Sequence, residues 1–174
     1  MARTHFPRFV LYQGQGLGLS LTFRYPEDWR LQEEEGAIDL YRQVRLLGPR
    51  NREDTYTPYL SVAAAPVKAE GGRFEDLTER IGLYRANLPV GAKLEQEGER
   101  VVGGERGLDL TIRYVIPPLH HKGLKNLPIP VKTRTLFFQR DRTLYEVIYS
   151  ADAREYDLYA KVFEELLKSL HFQS

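Results

Sequence analysis

The chain has 174 residues, 42% of them hydrophobic, and no cysteine. That is enough apolar material to fill one core unaided, and it excludes a disulfide framework, a thiolate nucleophile and a thiolate zinc site. The 25 Lys and Arg nearly balance the 24 Asp and Glu, so a net charge of +1 supplies no whole-molecule field for nucleic acid or an anionic membrane.

The opening residues, Met1 to Arg8, are basic but lack the apolar run of a signal peptide, and no stretch has the length of a membrane span. A cytoplasmic protein is expected, although an exported chain stripped of its leader has the same sequence. One domain is expected over 1–174. Phe9 to Tyr12 reads as a short strand, joined through glycines to a second in which Leu17, Leu19, Leu21, Phe23 and Tyr25 alternate with small or polar residues. Tyr25-Pro26-Glu27-Asp28-Trp29 ends that strand, because proline cannot donate to a ladder, and it presents Trp29 as an anchor. Residues 38–47 and 58–65 read as the next strands, with a polar loop over 48–57.

The period then changes. Phe74, Leu77, Ile81, Tyr84 and Leu88 recur at steps of three and four, which predicts an amphipathic helix over about 74–88. Strands over 94–102 and 108–116 follow as a hairpin, since the glycine pair at 103 and 104 can adopt positive φ at both turn centres. Residues 117–130, with four prolines, form a loop or flap. A second hairpin, 131–140 with 143–150, is rich in β-branched and aromatic residues. Asp152 and Glu155 have the spacing of a capping box for a last helix over about 153–170, with Tyr156, Tyr159, Phe163, Leu166 and Leu170 as its apolar stripe and Glu164 and Glu165 facing water. The order predicts an α+β fold: an antiparallel sheet built from hairpins, flanked by two main helices in an αβα sandwich.

The alternating strand into Tyr25-Pro26-Glu27-Asp28-Trp29 and the ending Phe163-Glu164-Glu165-Leu166-Leu167-Lys168-Ser169-Leu170-His171-Phe172 resemble the PsbP-like superfamily. That group includes the PsbP extrinsic subunits of photosystem II and a nuclear transport factor of the same fold that binds Ran. The resemblance spans about residues 9–172. It implies a non-enzymatic accessory module that docks on a larger assembly, with Tyr25, Pro26, Trp29, Phe163, Ser169 and Phe172 at core and corner positions and no catalytic role. In the family's closing pattern a second aromatic stands where Leu170 or His171 is found here.

Candidate chemistry is sparse. Gly14-Gln15-Gly16-Leu17-Gly18 lacks the third glycine of a dinucleotide fingerprint and leads into a strand, where phosphate capture needs a helix N-terminus. His120 and His121 are the candidate metal ligands, but adjacent residues of an extended chain point to opposite sides and no carboxylate lies in that loop. No nucleophile elbow, paired-histidine zinc motif or P-loop lysine occurs, and no cofactor or enzymatic activity is expected. The runs Glu33 to Glu35 and Glu95, Glu97, Glu99 read as wetted faces.

Charge is uneven, however. From Thr111 to Arg142 the chain holds Arg113, Lys122, Lys125, Lys132, Arg134, Arg140 and Arg142 against Asp141 alone, a net +6 that leaves −5 for the rest. Lys132, Arg134 and Arg140 share one side of a strand with Leu136 and Phe138. Two readings stand: a recognition surface for a protein partner with an acidic face, or cancellation across the sheet against acidic strands such as 95–99.

Overall fold

Period-two alternation becomes strand wherever its apolar member finds a face to cover, and the chain does this on two sheets. The structure is a computed structural model describing residues 7–14, 19–36, 40–118 and 127–173. A small antiparallel sheet has the order β1 (Phe9–Tyr12), β2 (Leu21–Pro26), β10 (His171–Phe172). A large one, antiparallel throughout, has the order β3 (Arg30–Glu35), β4 (Arg42–Leu47), β5 (Tyr59–Pro66), β9 (Thr143–Asp152), β8 (Ile129–Arg140), β7 (Glu105–Ile116), β6 (Lys93–Val102). Helix α1 (Leu77–Ala86) follows β5, and α2 (Tyr156–Ser169) follows β9. The α+β class and the flanking helices are as the sequence predicts.

The second sheet is not. After Pro26 the chain turns, with the Trp29 amide donating to the Pro26 carbonyl at 3.1 Å, and continues as β3, which pairs with β4 and not with β2. The acidic run Glu33 to Glu35 is therefore part of an edge strand, with its side chains exposed as a wetted face. It escaped the pattern because an edge strand with exposed side chains needs no apolar alternation.

One face of the large sheet carries the core. Val44, Leu46, Leu60, Val62, Leu136, Phe138, Val147 and Tyr149 meet α2 through Val162, Phe163, Leu166 and Leu167, and meet the small sheet through Tyr12, Leu21, Phe23 and Phe172. Trp29 is buried here too, its ring edge-on to Tyr159 at 5.4 Å. Each such large apolar side chain contributes about 1.5–3 kcal/mol on leaving water. The opposite face is covered in part by α1, whose Tyr84 ring lies 5.0 Å from Phe137. No side chain of α1 is fully buried, and the helix is shorter than its sequence stripe: Asp76 caps it by accepting from the Glu79 amide, which leaves Phe74 ahead of the first turn, and Leu88 stands next to Pro89 beyond the last.

Gly103 and Gly104 take φ of 58° and 85°, the conformation the β6–β7 hairpin requires. The predicted capping box at α2 is absent. Asp152 is the last residue of β9 and is held by Arg154 and Asn51, while Glu155 stands at the cap position without a side-chain cap bond.

Candidate functional site

The basic residues of the large sheet lie beside α2. Lys132, Arg134 and Arg140 project from β8 on the core face, and each rests on an aromatic ring: Lys132 on Tyr156 at 4.5 Å, Arg134 on Phe163 at 5.3 Å, Arg140 on Phe172 at 4.5 Å. Their charges are met from neighbouring strands. A register shift between Leu94 and Gln96 accompanies Glu95 reaching both Arg113 at 2.6 Å and Lys132 at 3.4 Å. Asp109 takes two bonds from the Arg134 Nε and one from its second terminal nitrogen, Glu164 accepts from the first, and Arg140 pairs with Glu105. Cancellation across the sheet thus describes Arg113, Lys132, Arg134 and Arg140.

Glu164, expected to face water, is clamped instead by Arg100 and Arg134. Hydrogen bonds from Arg100, ahead of those from Arg134 and against the cost of burial, hold its carboxyl down to about 2. Burial works against the Arg134 charge, but Asp109 and Glu164 outweigh it and keep the guanidinium above its ordinary range. Lys122, Lys125, His120 and His121 lie outside the described residues, as does most of the glycine segment 14–18. Among the described residues no three His, Asp or Glu side chains are grouped as a metal ion needs, and the loop histidines gain no support as a metal site.

The other face of the large sheet holds an arrangement that sequence reading missed. Central strands put Ser61, Thr133, Thr135 and Ser150 there, all buried, where apolar residues are the norm. The hydroxyls are chained: Tyr56 Oη lies 2.7 Å from Ser150 Oγ, which lies 2.8 Å from Thr133 Oγ1, while Gln43 Nε2 donates to Ser61 Oγ at 2.7 Å. Around them Tyr41, Tyr56, Tyr59, Tyr84 and Tyr114 are half-buried. Burial pushes the hydroxyls of Tyr56, Tyr59 and Tyr84 upward, and that of Tyr41 up to about 12, so all four remain donors at neutral pH. Arg45 stacks over Tyr59 at 5.3 Å, and its buried Nε has no hydrogen-bond partner among the described residues. The available signal was the recurrence of Ser and Thr at alternate positions of strands too central to face open water.

Tyr56 reaches this face because its loop is tied down. The Asn51 side-chain Oδ1 accepts from the Thr55 and Tyr56 amides, and its Nδ2 donates to the Asp152 carboxylate at 2.8 Å. Arg154 closes the other side of Asp152 at 2.7 Å and extends to Glu53. Bonds from Arg154, with a further one from Asn51, hold the Asp152 carboxyl down to about 2 against its burial. Towards α1 the same face opens into a groove of about 350 Å³ between β5, the start of β4 and the segment ahead of the helix.

Of the sequence-motif residues, Phe163, Trp29, Pro26 and Phe172 are buried and Tyr25 is half-buried, while the Ser169 hydroxyl accepts from the Arg24 amide at 2.7 Å and fixes the end of α2 to β2. This stacking of a small sheet and a helix on a larger sheet recurs in solved structures. The cyanobacterial PsbP (CyanoP) of Synechocystis sp. PCC 6803 matches with a TM-score of 0.56 at 16% identity, over 99% of this chain and 96% of that one. The fold is PsbP-like. LpqN of Mycobacterium tuberculosis, described as involved in cell envelope biogenesis, matches with a TM-score of 0.52 at 14% identity, over 99% of this chain and 88% of its own. No protein-family profile matches the chain, and neither does any curated protein. PsbP-like architecture accounts for the core positions of the motif residues, and it does not by itself select a partner or a ligand. No helix among the described residues is long and apolar enough to cross a membrane.

Proposed function

We propose that this chain is a non-catalytic accessory or assembly module that docks on a partner protein, with the tyrosine-bearing face of the large sheet as the contact. The observation that carries the reading is the set of five half-buried tyrosines over a floor of small hydroxyls, next to Arg45. Tyr and Arg are the side chains over-represented in protein interfaces, because a stiff ring gains contact area at low entropic cost and its hydroxyl still finds a partner. The two solved neighbours share the fold and leave the partner open. The acidic surface expected of a partner would meet a different patch: Arg113 and Arg140, on the side of the sheet opposite the tyrosines, stay partly exposed after pairing.

Crosslinking in the protein's own cells, followed by mass spectrometry, tests it. A specific protein is expected to be captured by the wild type, and its recovery is expected to fall about tenfold with Tyr59→Ser and with Tyr114→Ser at unchanged melting temperature. Wild-type recovery in both variants removes this face from the reading. Loss with Arg113→Glu alone moves the contact to the basic strip, and capture of no protein above background defeats the accessory role itself.

A further inference from the structure

We infer that the groove between α1 and the large sheet is a binding site for a small organic carboxylate with an apolar body. The floor comes from sequence. Strand β5 runs Val62-Ala63-Ala64-Ala65, and its odd residues face away from the core, so two methyl groups stand where a central strand normally sets Val or Ile. The opening left is about 350 Å³, near the lower end of the range for ligand sites. Its walls include Tyr41, Phe74 and Leu83.

The rim is fixed by backbone. Gly72 packs so closely on β5 that a Cβ there would lie 1.7 Å from the Pro66 carbonyl oxygen, and the tight return sets Arg73 and Phe74 over the opening. Two guanidinium groups, those of Arg73 and Arg80, each lie 5.3 Å from the Phe74 ring centre. Arg80 is already neutralised by Glu146 at 2.5 Å in the sheet. Arg73 is exposed and has no carboxylate partner among the described residues, so the groove carries one uncompensated positive charge beside apolar walls. That combination selects one anionic group on a body that gains from leaving water, and a planar guanidinium takes a carboxylate through two parallel hydrogen bonds. Inorganic phosphate has the charge without the body. A neutral alcohol has the body without the charge.

Such binding is a property of the isolated protein and requires no partner. Amide chemical shifts followed by NMR during titration with hexanoate, benzoate, hexanol and inorganic phosphate test it. The two carboxylates are expected to saturate shifts at Ala65, Arg73 and Phe74 with half-saturation on the order of 1 mM, since an open groove buries only part of a ligand. Arg73→Gln is expected to weaken both by about two- to fivefold, the upper part of the range for an exposed ion pair, and to leave the weaker hexanol shifts unchanged. Ala65→Leu is expected to abolish all of them. Absence of saturable shifts at about ten times that concentration, phosphate binding as well as hexanoate, or undiminished binding by Arg73→Gln overturns the assignment. Should Ala65→Leu not fold, the Arg73→Gln and ligand comparisons decide it alone.

Discussion

Replacing Asp152 with Asn removes a charge from a site where the side chain is 1% exposed and keeps its shape. The carboxylate accepts from the Arg154 side chain and amide and from Asn51, and these bonds lower it from an ordinary 3.8 to about 2. A folded-state value below the unfolded one means that the contribution is fully present above the unfolded value and is lost as pH falls through the folded one. At about 1.4 kcal/mol for each unit, the charge is worth about 2 kcal/mol at neutral pH. For a chain of this size that is a fall in melting temperature of about 4–8 °C in Asp152→Asn. Urea unfolding of both proteins from neutral pH down to about pH 3 measures it. The gap between them is expected to narrow steadily once the pH drops below the ordinary carboxylate value. A gap that does not change with pH, or one under about 0.5 kcal/mol at neutral pH, refutes the assignment of the charge to this network. Because Asn51 also holds Tyr56, the variant should lose order at that ring as well.

A double-mutant cycle of Arg134→Met and Asp109→Asn should give a coupling of about 1–2 kcal/mol by chemical denaturation, with Arg134→Met alone costing more than the pair, because it strands Asp109 while Glu164 keeps Arg100. Additive effects would show that these ion pairs are ornamental. Two glycines near α1 should respond with opposite sign: Gly72→Ala should cost more than about 2 kcal/mol through its clash with Pro66, whereas Gly82→Ala, with nothing within 4 Å of the new methyl, should raise stability by up to about 1 kcal/mol. Thermal melts of the two single variants separate them.

Local physics made much of the fold legible. The apolar stripe of α2, the turn that delivers Trp29 and the paired glycines of the β6–β7 hairpin each depend on residues close in sequence, and each was readable from spacing. What escaped reading depends on partners far along the chain. β3 has no apolar alternation to betray it, and β10 exists only because His171 and Phe172 meet Thr22 and Leu21. Asp152 looked like a helix cap because the residues after it suit one; its bond to Asn51, 101 positions away, is stronger competition than the cap. The tyrosine face was hidden for a different reason. Alternation says only that one side of a strand is polar, and nothing near Ser61, Thr133 and Ser150 in the sequence shows that they end up buried. Likewise, the cancellation anticipated against strand 95–99 is met by Glu95 on β6, but Asp109 and Glu105 on β7 and Glu164 on α2 share in it, and nothing in the composition singles those partners out.

The large sheet is open at both margins. β3 shows Glu33, Glu34 and Glu35 to solvent, and β6 is irregular after Leu94 and shows Glu97 and Glu99. An extended segment seeking to prolong the ladder meets a fence of negative side chains at one margin and a bent backbone at the other, features that deter strand-by-strand growth into filaments.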